Sequence, residues 1–131
     1  MSIQKENTMC NVNKFVINKG VDNEFSIKIK KNGVTIPIVI APSDTFTAYV
    51  YKLSDNTIVS TLSLGSGIVV EDANNGLIKL TYTQVVVDGL ESERGPKEDA
   101  YYLRPTYRIA LHCDTIDNGN FIANINEVYV R

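Results

Sequence analysis

Apolar residues recur at every second position over most of this chain. Between Thr106 and Val130, Tyr107, Ile109, Leu111 and Cys113 alternate with Arg108, Ala110 and His112, which predicts a strand with one buried face and one mixed face. Asp117-Asn118-Gly119 then supplies residues that tolerate positive φ, and a second alternating run opens with Phe121, Ala123 and Ile125. The pair predicts a β-hairpin whose apolar face the rest of the chain must cover. Its parity slips near the end, to Val128 and Val130, and a β-bulge around Asn126-Glu127 restores the inward direction.

The earlier segments carry the same period. Phe15 and Ile17 predict a short first strand, and Phe25, Ile27 and Ile29 alternate with Ser26, Lys28 and Lys30 in a second. Asn32-Gly33 is a tight-turn signal. In the run that follows, Pro37 lacks an amide hydrogen, which assigns it to a sheet edge rather than a central strand. Thr45 to Leu53 sets Phe46, Ala48 and Val50 on one face and Thr47, Tyr49 and Tyr51 on the other; with Thr57 to Leu62 it predicts a hairpin. Ile68-Val69-Val70 and Leu77 to Thr83 predict another, with Ile78, Leu80 and Tyr82 inward.

Two stretches depart from this regularity. Met1 to about residue 12 is polar and aperiodic, so it is expected to be a flexible arm before a single domain over 13–131. Gln84 to Ala100 begins apolar and turns charged, with Gly89, Gly95 and Pro96 breaking any regular element, so it is expected to be a long excursion. The whole pattern gives eight or nine short strands and no helical period. That predicts an all-β fold, an antiparallel β-sandwich whose inward positions are filled by Ile, Val, Leu, Phe and Tyr.

Bulk properties narrow the classes of function. The 131 residues suit one domain, and the 15 acidic and 13 basic residues are interspersed, giving a net charge of −2. No basic footprint for nucleic acid or anionic membrane is present in such a balance. The leader lacks an apolar core of signal-peptide length and no window reaches the length of a membrane span, so neither secretion nor membrane insertion is expected. Cys10 lies in the polar leader and Cys113 on an apolar strand face, where it serves as a small hydrophobe; no disulfide is expected.

Candidate chemistry is sparse. His112 and Cys113 are adjacent on a predicted strand, so their side chains leave on opposite faces and do not make a nucleophile pair. One histidine and two distant cysteines do not supply a zinc site, and Asp72, Asp88 and Asp117 lack the spacing of a calcium loop. Gly65-Ser66-Gly67 is a turn with no helix behind it to hold phosphate. Glu91/Glu93 and Glu98/Asp99 sit in the charged excursion, where carboxylates are solvated rather than held for acid-base work. The expectation is a non-enzyme with no cofactor and no metal. Tyr49, Tyr51 and Tyr102 could form a sugar-stacking face, which makes a carbohydrate- or cell-surface-binding module the alternative reading.

One order of features is more specific. The INKG strand and the polar strand after it (Ile17 to Lys31) are followed by IAPSDTFTAYVYKLSDNTIV (Ile40 to Val59), LGSGIVVEDANNGLIKLTYT (Leu64 to Thr83) and the closing hairpin. This resembles the small immunoglobulin-like domains of bacteriophage tail baseplates, notably the N-terminal domain of siphophage baseplate upper proteins, over roughly Asn13 to Arg131. The resemblance implies an immunoglobulin-like β-sandwich and a structural role in the virion tail, made in the host cytoplasm. It implies a collar or adaptor subunit that forms a homo-oligomeric ring and binds other tail or baseplate proteins. The long excursion and the lack of a helical or fibre extension depart from the pattern and favour such a subunit over a receptor-binding protein. Expected contact residues are Pro37 on the edge run and Leu90, Arg94, Pro96 and Lys97 in the excursion, with the polar arm beside them.

Overall fold

The computed structural model describes residues 9–10, 14–30, 36–94 and 103–131. Its strands are β1 (Met9–Cys10), β2 (Lys14–Ile17), β3 (Asn23–Lys30), β4 (Thr45–Lys52), β5 (Ile58–Leu64), β6 (Gly67–Asp72), β7 (Leu77–Tyr82), β8 (Glu93–Arg94), β9 (Leu103–Arg104), β10 (Tyr107–Thr115) and β11 (Gly119–Val130). One short helix, α1 (Gln84–Asp88), follows β7.

Nine strands form one ladder in the order β1-β3-β7-β6-β5-β4-β10-β11-β2. The join between β6 and β5 is thin, only Ser63 beside Gly67 and Leu64 beside Ile68. Taken at that join, the ladder is four strands, β1-β3-β7-β6, over five, β5-β4-β10-β11-β2. This is the strand order of an immunoglobulin-like sandwich whose first strand is split between the two layers. The ladder is also nearly closed on itself, because β2, at one end of it, and β3, one strand in from the other end, are consecutive in the chain. Their corner is held by Asn23, whose amide donates to the Asn18 and Val21 carbonyls and whose Oδ1 accepts from the Asn18 N–H. Phe15 and Phe25 stack across the same corner, centroids 4.0 Å apart.

The expected all-β fold is therefore present, in a ladder nearly closed on itself, with one refinement to its antiparallel character. Glu127 to Val130 run parallel to Lys14 to Ile17, and the β5–β6 contact is parallel as well. Once the chain crosses from the layer of β1 to that of β2, it joins the outer edge of β11, and β2 meets it running the same way. Met9–Cys10, part of the polar arm, pair with Ile29 and Lys30 of β3.

The core follows the alternation closely. Phe46, Ala48, Val50, Ile78, Leu80, Tyr82, Tyr107, Ile109, Leu111, Ala123, Ile125, Val128 and Val130 are all buried between the layers. The expected bulge is where the parity slips: Tyr107 faces Val128 and Ile109 faces Ile125, so β11 advances three residues while β10 advances two.

The excursion after β7 is more ordered at its base than the sequence predicts. Gln84 to Asp88 turn into α1, capped from a distance: Asp22 Oδ1 accepts from the Gln84 N–H at 2.7 Å, and Asp88 Oδ1 accepts from the Gly20 N–H at 2.8 Å. Val87 and Leu90, three residues apart, fall on its buried side. Glu93–Arg94 then pair antiparallel with Leu103–Arg104, closing the base of the loop. The Asn32-Gly33 turn and the proposed strand start at Tyr101 lie outside the described residues.

Candidate interaction surface

The two layers present different outer faces to solvent. On the four-stranded layer several outward residues are polar or charged and pair with one another: Ser26 donates to Glu71 at 2.7 Å, and Lys79 lies 3.9 Å from Glu24. Such pairs are worth little energetically, but they keep a face wet.

The five-stranded layer is built otherwise. With Phe46, Ala48 and Val50 inward, β4 turns Thr47, Tyr49 and Tyr51 outward, and the register of β10 sets His112, Ala110 and Arg108 opposite them. Ala110 is small, which opens room above the sheet for the rings on either side. The Tyr49 and His112 rings meet edge to face, 4.9 Å apart at 85°. Tyr49 and Tyr51 are 6.3 Å apart, and the Arg108 guanidinium lies 4.1 Å above the centre of Tyr51. The result is a continuous array, Arg108, Tyr51, Tyr49, His112, half-buried in the monomer. A partly exposed cation over a ring contributes about 0.5–1 kcal/mol, enough to fix the orientation of Arg108 but not to seal it from a partner.

Beyond His112 the face dips into a shallow concavity of about 460 Å³ lined by Thr45, Thr47, His112, Asp114, Asn120 and Ile122, with Cys113 and Phe121 beneath. Cys113 itself is buried and His112 is not, the opposite-face geometry that the strand period predicts.

The contact residues expected from the sequence do not gather into one patch. Pro37 is half-buried and makes a bridge to Lys30, the last residue of β3, as an edge position should. Leu90 is 6% exposed and packs into the core, so its side chain anchors the excursion instead of projecting from it. Arg94 lies in β8, its backbone paired with Leu103. Pro96 and Lys97 lie outside the described residues, as does Tyr102. The excursion base packs where β3 begins and Pro37 where it ends, so the two sites are separated by roughly 20 Å of strand.

The base of the excursion is pinned at several points. Lys52 Nζ reaches Glu91 at 3.2 Å, and this hydrogen bond with its charge attraction raises the lysine pKa. Thr106 Oγ1 donates to the Glu91 carbonyl at 2.9 Å. Within β11, Tyr129 donates to the Glu127 carboxylate, which raises the tyrosine pKa. Among the described residues no three His, Cys, Asp or Glu side chains are grouped to hold a metal ion, and no helix is long and apolar enough to cross a membrane.

No protein-family model and no curated protein matches this chain. Among solved structures it is similar to a chain in "Structural basis of T cell specificity and activation by the bacterial superantigen toxic shock syndrome toxin-1", at 8% identity and a TM-score of 0.47, over 95% of this chain and 98% of that one.

Proposed function

We propose that this chain is a non-enzymatic virion structural protein, a phage tail-tip or baseplate collar or adaptor subunit. In this reading its copies associate into a ring and hold fibres or neighbouring tail proteins, and it is made in the host cytoplasm and carried in the tail. The strand-and-turn resemblance supplies the phage setting. The assembly role is supported by one observation, the Arg108-Tyr51-Tyr49-His112 array on the outer face of the five-stranded layer. Tyrosine and arginine are enriched where proteins meet, because they bring large contact area with few rotatable bonds to freeze. The opposite face, with its lysines and glutamates, has the composition that interfaces avoid.

Light scattering combined with capture of the tail proteins encoded beside the gene tests this reading. A mass above that of the monomer, and co-purification that Tyr49→Ala or Arg108→Ala weakens, is the expected result. A monomer that captures none of them counts against it.

The carbohydrate alternative draws on the same pair of tyrosines, flanked by Thr47 and Asn124. Arg108 already covers one face of Tyr51, so a stacked sugar ring has to displace it or use Tyr49. Glycan-array binding by a monomer, abolished by Tyr49→Ala, would favour that alternative.

A further inference from the structure

Every open sheet has edges, and this one protects most of them. β1 is two residues long, β2 is four and begins with Lys14, and the free part of β6 carries Glu71 and Asp72. Short length and charge are the usual devices against unwanted strand addition.

The edge of β5 has neither. From Ile58 to Leu64 the sequence is IVSTLSL, seven residues without a charge or a proline. Ser63 and Leu64 are taken by β6, so the open part runs from Ile58 to Leu62, roughly 17 Å of strand. The Ser63 N–H donates to the Ser66 carbonyl and the Ser66 N–H donates back to Ser63, which marks the outward direction at that position. Thr61, two residues earlier on the same strand, sends its N–H and C=O the same way, and among the described residues nothing pairs with them. The register step opposite Val50 and Tyr51 affects only the Ile58 end.

The side chains around this edge point the same way. Eleven large hydrophobic residues are left exposed among the described residues, and five of them, Leu53, Ile58, Val59, Leu64 and Val69, lie on or beside it. Apolar side chains thus flank an unpaired backbone.

We propose that the free edge of β5 is where a second copy of this chain adds, antiparallel, about a two-fold axis. Charge decides the occupant. In a two-fold contact each residue meets itself or a near neighbour, so any lysine or glutamate on the edge would face its own like charge. The uncharged run from Ile58 to Leu64 meets that condition, and it offers no charge by which to select a differently charged partner. The contact joins two five-stranded layers into one ten-stranded sheet and places both Tyr49-Tyr51 arrays on a continuous surface. It specifies one contact of the assembly reading and rests on that reading to this extent.

Sedimentation velocity over a concentration series tests it on the full chain, with Thr61→Pro, which removes the outward N–H, and Val59→Lys, which sets like charges across the axis. Circular dichroism confirms that each variant is folded. The expected result is a wild-type dimer whose dissociation constant rises roughly tenfold or more in both variants, in Thr61→Pro because two backbone bonds are lost per dimer, one from each copy, and in Val59→Lys because the lysines of the two copies repel. Hydrogen exchange should show the Thr61 amide protected in the dimer and fast in Val59→Lys. A dimer unaffected by folded Val59→Lys overturns the β5 contact and leaves the assembly reading standing. A wild-type monomer at every concentration also overturns it, while capture of tail proteins decides the assembly reading separately.

Discussion

The hydroxyl of Tyr107 accepts a hydrogen bond from the backbone N–H of Glu91, 2.8 Å away and sixteen residues upstream. Tyr107 opens β10 with its ring in the core, so this bond ties the base of the excursion to the middle of the five-stranded layer. A tyrosine at this place, bonding back to the chain before the strand, is the corner device of immunoglobulin-like sandwiches. Tyr107→Phe keeps the ring and strands a half-buried N–H, so it should cost about 1–2 kcal/mol in chemical denaturation. It should also speed hydrogen exchange at Glu91 more than in β4.

Tyr82 makes the opposite case. Its hydroxyl is buried without a partner among the described residues, and the burial raises its pKa. Deleting an unsatisfied polar atom removes a desolvation cost, so Tyr82→Phe should leave stability unchanged or raise it by up to about 1 kcal/mol. A loss comparable with that of Tyr107→Phe would show that the hydroxyl is satisfied in solution.

Two glycines separate strain from crowding. Gly76 has φ of +63° and its position for a Cβ lies 2.6 Å from the Ile29 carbonyl oxygen and 2.9 Å from that of Ile38. Both are backbone atoms, and the Gly76 carbonyl in turn accepts from the Ile29 N–H. Gly119 has φ of +74° and open space around it. Gly119→Ala should cost about 1–2 kcal/mol, the left-handed conformation alone. Gly76→Ala should cost about 2–4 kcal/mol, because overpacking adds to it. Thermal melts of the two variants side by side give the comparison.

The β4–β5 turn carries a pH dependence of known sign. Asp55 accepts from the Thr57 N–H at 3.0 Å and from the Thr57 hydroxyl at 2.8 Å, and these bonds hold its carboxyl below the usual carboxylate range. A depressed folded pKa means stabilisation that is present above the unfolded pKa and lost as pH falls through the folded one. Asp55→Ala should therefore lower the melting temperature slightly at neutral pH, with the gap closing in acid; the effect is small because the group is exposed. Carboxyl NMR titration of Asp55 checks the direction.

The alternation in the sequence carried the inward and outward sense of nearly every strand. Phe46, Ala48 and Val50 are inside, Tyr49 and Tyr51 outside, and the slip from Ile125 to Val128 is a bulge, all because a pleat turns side chains by a fixed half-turn per residue. Pairing partners are another matter. That Arg108 lies over Tyr51 and His112 against Tyr49 depends on β10 lying beside β4, more than fifty residues away in the chain. The local period shows which way Arg108 points and not what it meets. The helix α1 was missed for a similar reason: the cap on Gln84 comes from Asp22, and only the spacing of Val87 and Leu90 signals it locally. Leu90, expected on the surface with its charged neighbours, is drawn inward by that same turn.

The parallel run of β2 along β11 has a mechanical meaning. Four register pairs join them, from Lys14 with Glu127 to Ile17 with Val130, and Arg131 adds a bond to the Ile17 carbonyl. A pull that enters ahead of Lys14 and leaves beyond Val130 draws the two strands lengthwise past each other. All of those bonds then bear load together, and none can give way first as in a zipper. The domain is built to resist being stretched along its ends far better than being peeled open from the side.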